Sequence, residues 1–201
     1  MQQVLFHFPL RTIAGWLPDL PIWLYIGAAG LLALGFVDFP LLAYHFQQGS
    51  LVKPEVIPLL YAGAMGINGL TALVFGRLFD RFGIQIIVLG ILVSLLALPF
   101  GFLGGATGVY ISVACWATGL GAQDATLRSG ISQVVSMNKR GSAFGAFNAA
   151  YGVLWFLGSV TMGVLYDYSL LALVIFGIAA QLIAATLFFW LRRPLAAAMQ
   201  R

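Results

Sequence analysis

Asp38 is the one acidic residue set well inside an apolar run, and His45 follows it after about two helical turns on the same face. Counted from the start of its run at about 1.5 Å per residue, Asp38 lies about 24 Å along the helix, in its last third. An acid and an imidazole so placed can hold a proton or a cationic group beside a cavity, because ionisable groups at membrane depth are costly and functional by default. A second reading is open: Pro40 must break or kink the helix close by, and Asp38 can then reach the outer headgroups. Asn68, Thr71, Asn148, Tyr151, Trp155 and Gln181 are the other polar or amphipathic groups of note within apolar runs. Each can hydrogen-bond between helices, for about 0.6 kcal/mol on average, and together they can line a solute path.

The remaining chemistry is sparse. No His-x-x-x-His or Cys-x-x-Cys spacing and no glycine-rich phosphate loop occurs. Cys115 is the only cysteine, so neither an intrachain disulfide nor a multi-thiolate metal site is available. Ser94, Ser112 and Ser159 have no basic neighbour within four residues to activate them. The expectation is a protein that is not an enzyme and carries no metal and no cofactor.

Charge concentrates in one turn, Gly76-Arg77-Leu78-Phe79-Asp80-Arg81-Phe82-Gly83, between two long apolar runs. Asp80 lies where the positive end of a neighbouring helix could stabilise it, an effect worth about 0.3 to 1 kcal/mol when exposed. Asp124 and Arg128, spaced to pair along one helix face, could complete a cluster with Asp80 and Arg81 that holds while the inner helix ends stay together. Arg77 reads as an ordinary topology anchor.

These groups need elements to position them, and the composition says which. With 201 residues, 61% hydrophobic and 8% charged, and a mean hydropathy of +0.98, the chain is too apolar for a water-soluble domain. A hydrocarbon core of about 30 Å takes about 20 apolar residues as helix. Six such runs are predicted, near 22–46, 55–75, 84–103, 108–127, 142–165 and 169–191. They are continuous rather than alternating, which favours helices over a barrel. Residues 1–21 read as an interfacial lead-in, 22–192 as the six-helix membrane domain and 193–201 as a tail.

Six spans put both ends on one side, and then nine of the ten basic residues share it, leaving Lys53 opposite. That is the positive-inside pattern, which places both ends in the cytoplasm and the protein in a plasma or inner membrane. The lipid bilayer is therefore the first partner. Basic residues spread over many loops do not make a nucleic-acid patch, so nucleic acid is not expected.

An internal echo recurs at a fixed offset: Gly76, Leu78, Phe79, Asp80 and Gly90 align with Gly163, Leu165, Tyr166, Asp167 and Gly177. The first set follows the second span and the second follows the fifth, on opposite sides. The fold expected is an all-α polytopic bundle of six transmembrane helices built as two inverted three-helix repeats. Glycine spacings Gly101/Gly105, Gly104/Gly108 and Gly141/Gly145, with Gly158 and Gly163, offer flat faces for close helix approach.

Gly76, Leu78, Asp80, Arg81 and Gly83, at this spacing, resemble the loop motif of the major facilitator superfamily. Lys139 to Gly145 resembles the basic-glycine entry to the fifth helix of a half, and Gly152, Gly158 and Gly163 resemble that helix itself. Ile84 and Gln85 stand where many members carry basic residues, and members have twelve helices, so the resemblance is to a carboxy-terminal half alone. It implies transport of a small solute, with a possible coupling proton, by rocking against a second six-helix half or in a self-dimer. The rival is a non-transporting membrane scaffold, or an inactive truncated fragment.

Reporter fusions check the span count: one placed within Gln47–Ser50 and one at the carboxyl end are expected to report opposite sides of the membrane. Identical signals would rule out six spans.

Overall fold

The computed structural model describes residues 20–135, 137 and 140–199. The lead-in through residue 19, Lys139, the Arg193 side chain and Arg201 lie outside what is described. The described residues form eight helices and no strand: α1 Leu20–Gly35, α2 Phe39–Gln48, α3 Val56–Phe82, α4 Gln85–Leu95, α5 Ala97–Leu103, α6 Gly105–Val134, α7 Arg140–Tyr168 and α8 Leu170–Met199. The all-α expectation holds.

Two pairs of these helices are broken single spans. Pro40 sits in the first turn of α2, where its missing N–H costs nothing, and the chain leaves helical geometry over residues 36–38. Pro99 likewise has no N–H to offer the carbonyl four residues back, and the helix breaks at Leu96. Counting α1–α2 and α4–α5 as one each, five spans are long and apolar enough to cross a membrane: Ile22–Gln48, Val56–Phe82, Gln85–Leu103, Arg140–Tyr168 and Leu170–Arg192. That marks the chain as a membrane protein. The sixth long helix, α6, has the length but carries Gln123, Asp124, Arg128 and several small polar residues. It also runs on to Val134, past the end of the apolar run near residue 127.

The core falls into two large clusters at opposite ends of the bundle and a small third one. One gathers Tyr25, Phe79, Ile87, Ile131, Phe147 and Phe188; the other gathers Phe46, Leu98, Val113, Trp116, Met162 and Leu173. Successive spans alternate in which cluster they enter first, so the chain crosses the bundle six times and α1 begins at the end where α8 leaves. α1 packs on α7 and α8, α6 on α3 and on α4–α5, and α4–α5 on α8. α1 and α6 are thus central, α4–α5 and α8 form a back wall, and α3 and α7 are flanks. The flanks expose apolar rows, among them Leu70 and Leu73 on α3 and Phe156 and Val160 on α7. In lipid such rows cost nothing.

Close approach is made by particular glycines. A Cβ on Gly35 would stand 2.7 Å from the Gly177 carbonyl oxygen, joining α1 to α8, and one on Gly90 would stand 2.6 Å from the Ala122 Cβ, joining α4 to α6. Gly121 meets the α3 backbone at Asn68 and Ala72, and Gly158 meets the α1 backbone at Leu34. Gly141, Gly145, Gly152 and Gly163 face open space instead. Gly83 ends α3 with φ +69°, a conformation that costs side-chain-bearing residues dearly.

Gly158→Ala is expected to destabilise the bundle by about 1–3 kcal/mol, because its methyl would have to push the Leu34 backbone away. Gly163→Ala, with nothing near its Cβ position, is expected to be neutral or slightly stabilising. Thermal unfolding of both variants in detergent compares them directly, and equal loss would refute the close crossing.

Candidate functional site

The break in the first span frees backbone groups that lipid would leave unsatisfied. Side chains from two other spans reach in to take them. Gln181 on α8 donates its amide to the Gly35 carbonyl at 2.8 Å and accepts from Ser94 Oγ on α4 at 2.6 Å. Trp116 on α6 donates its indole N–H to the Val37 carbonyl at 2.8 Å. Gln181 is fully buried in the back wall, so its place is structural packing rather than a solute path.

Asp38 is the residue before α2 and its backbone carbonyl accepts from Leu41 and Leu42, yet its side chain does not cap the helix. The carboxylate turns to α7, where Trp155 Nε1 and Ser159 Oγ both donate to it. It is half-buried at the base of a helix whose positive dipole end faces it. Both donors are neutral, so they orient the charge without cancelling it. His45 faces the same helix farther on, where its Nδ1 lies 3.1 Å from the Tyr166 hydroxyl, with the Phe102 ring close by. The structure therefore gives Asp38 and His45 separate partners.

A second polar group lies on α6. Gln123, almost fully buried, accepts from the Tyr151 hydroxyl on α7 at 3.0 Å, while its own amide Nε2 has no partner. Beside it, Asp124 receives Asn68 Nδ2 of α3 at 3.4 Å. Asp38, Trp155, Ser159, Tyr151, Gln123, Asp124 and Asn68 thus form a discontinuous polar belt across α1, α7, α6 and α3, on the face opposite the back wall.

Aromatic rings frame the Asp38 end of this belt. Tyr151 meets Trp155 edge-on at 5.5 Å, Trp155 meets Phe36 at 6.2 Å, and Phe36 meets Trp116 at 6.1 Å. Phe39 continues the row to Trp116 at 5.4 Å and to Tyr61 of α3 at 4.8 Å.

The charged turn is arranged otherwise. Arg77 donates to the Leu73 carbonyl of its own helix, Arg81 lies over the Phe82 ring, and Asp80, Asp124 and Arg128 are exposed. Gly76 approaches Ala125 of α6, and Leu78 packs against a small cluster of Phe75, Ile86 and Ala122. The turn is thus docked on the end of α6 by packing. Asn148 is exposed on α7.

Gln123 and Ser159 were not legible as site residues. Ser159 is one of many hydroxyls in the spans, and Gln123 sits where the apolar run ends, so hydropathy alone assigns it to a helix terminus. A signal was present: Gln123 and Asp124 interrupt a run of small apolar residues that the structure keeps helical.

No family model matches the chain, and no solved structure matches it. Curated relatives do: an uncharacterized protein of Mycobacterium tuberculosis (strain H37Rv) and one of Mycobacterium bovis are each 34% identical over 179 residues. The match covers 89% of this chain and 44% of each relative, so the chain spans less than half the length of these relatives.

A double-mutant cycle tests the Asp38 geometry. Trp155→Phe keeps an aromatic ring but removes the N–H with the five-membered ring, so it is expected to lose the hydrogen bond to a charged group, about 1.5–3 kcal/mol, on top of the cost of the smaller ring. In an Asp38→Asn background the hydrogen-bond share of that loss should shrink, and the cycle isolates it from the packing share. Unfolding in detergent measures all four proteins, and a coupling near zero would mean the contact contributes nothing.

Proposed function

We propose that this chain forms one six-helix half of a secondary transporter of the major facilitator type. It moves a small solute by rocking against a second half, with a proton as candidate coupling ion at Asp38. Both ends lie in the cytoplasm, as the nine basic residues on that side require.

The observation that carries this reading is a symmetry in the packing. Exchange residues of the first three spans with those 87 positions later, and several close contacts map onto contacts. Ser94 and Gln181 are equivalent positions and hydrogen-bond to each other, as residues beside a two-fold axis can. The Gly90 approach to Ala122 maps onto the approach of Gly177 to Gly35. Gly121 crossing α3 at Asn68 and Ala72 has its near counterpart in Leu34 crossing α7 at Gly158, one position from the equivalent of Ala72. Away from that axis equivalent positions such as Phe79 and Tyr166 lie at opposite ends of the bundle, which supports two inverted three-helix repeats, the architecture of many secondary transporters.

The functional groups follow the same relation. Asp124 takes a donor from Asn68 on one flank, and Asp38, one position from the equivalent site, takes a donor from Trp155 on the other. A belt of polar groups at a break in a spanning helix is where such proteins bind solute. The exposed flanks α3 and α7 are the surfaces on which a second half would roll. The greater length of the mycobacterial relatives leaves room for one in those proteins.

The test is flux. Proteoliposomes with the chain alone are expected to give no saturable uptake across a broad solute panel with a proton-sensitive dye, and those that add a complementary six-helix polypeptide are expected to give it. Saturable flux by a demonstrated monomer would overturn the half-transporter reading, and flux by a dimer would identify self-pairing. Tight assembly without flux in any combination would favour a scaffold.

A further inference from the structure

We propose that the half-buried Asp38 carboxylate is a binding site for an organic cation, an alkylated or aromatic ammonium whose apolar body lies against Trp155 and the half-exposed Tyr61. The inference deepens the transporter reading by naming a substrate class, and it rests on that reading only for transport, not for binding.

The argument starts from the charge. Asp38 is half-buried within the first span, and the two groups bonded to it, Trp155 Nε1 and Ser159 Oγ, are neutral. A carboxylate offers about four acceptor positions, so two remain for a ligand. Neutral donors fix its direction without supplying a countercharge, and acids within spans pair with other groups or mark binding paths.

The surroundings select that partner. Within the described residues no group of three or more His, Cys, Asp or Glu is placed to hold a metal ion, and hard cations need about six oxygen ligands to replace their water. Asp38 supplies one carboxylate among rings. Five aromatic side chains, Phe36, Phe39, Trp116, Trp155 and Tyr61, form a continuous row beside it; Phe36, Phe39 and Trp116 are packed in the core, and Trp155 and Tyr61 are the rings left partly open to a ligand. Ring faces attract a cation by about 0.5–2 kcal/mol each, most for one that is already poorly hydrated. An alkylated ammonium gives up little water on entering such a place, whereas an inorganic cation gives up much. Tyr61 is 45% exposed, so the row opens to the outside of this chain at α3.

A second observation points the same way. Trp116 and Trp155 spend their N–H groups on Val37 and Asp38. Those bonds hold both indoles in place around the break, so the rings are prearranged before any ligand arrives.

Binding of radiolabelled benzyltrimethylammonium to the full chain in lipid nanodiscs tests this, with its uncharged carbon isostere neopentylbenzene as competitor. Saturable binding is expected, displaced by the unlabelled cation and not by the isostere. Asp38→Asn should weaken it about tenfold or more, and Tyr61→Leu, at a half-exposed ring whose loss spares the fold, should weaken it several-fold. Lys53→Gln should leave it unchanged. Absence of saturable binding, equal displacement by the isostere, or undiminished binding in both Asp38→Asn and Tyr61→Leu would overturn the proposal. The two readings fail separately: cation binding without flux in any assembled state sinks transport alone, and flux of a neutral solute without cation binding sinks this site alone.

Discussion

The bundle depends on how the break at residues 36–38 is made good. A helix interrupted in mid-span leaves carbonyls that neither water nor lipid can satisfy, and a buried polar group without a partner costs on the order of 1–3 kcal/mol. Gln181 and Trp116 answer for Gly35 and Val37, each from a different neighbour of α1. The break is therefore a node where α1, α4, α6 and α8 are tied together, and α7 joins through Trp155 and Ser159. The same Pro40 that prevents a continuous helix also frees Asp38 from helical geometry, so that its carboxylate can face α7 instead of capping α2.

Packing divides the molecule into a tight back and an open front. At the back, Gly35, Gly177 and Gly90 bring backbones into contact, and a single added methyl would collide. At the front, α3 and α7 touch the rest of the bundle along one side only and present Leu70, Leu73, Phe156 and Val160 outward. Polar side chains line the front between them. The flanks meet the centre closely at two crossings, α3 against Gly121 of α6 and α7 through Gly158 against α1.

Two acids, Asp38 and Asp124, lie on the front, and their settings differ. Asp124 is exposed and takes the amide of Asn68, whereas Asp38 is half-buried and takes Trp155 and Ser159 of α7.

Composition and period were enough to determine a helical membrane protein, the approximate course of its spans and the break near Pro40, because lipid permits few backbone solutions and proline removes a donor wherever it stands. The offset echo from Gly76 to Gly163 was equally legible, since glycine and aspartate at helix ends obey local rules. Sequence left open which polar residues meet. Gln181 read like Asn68 or Tyr151, one more polar group in a span, and only its neighbours Gly35 and Ser94 make it a structural strut. Asp80 and Arg81 of the turn suggested a cluster with Asp124 and Arg128, and in the fold Arg81 lies over the Phe82 ring of its own helix. Gln123 and Ser159 entered the site because rotation of α6 and α7 about their axes aims them inward, and helix rotation is set by interhelical packing that no single span encodes.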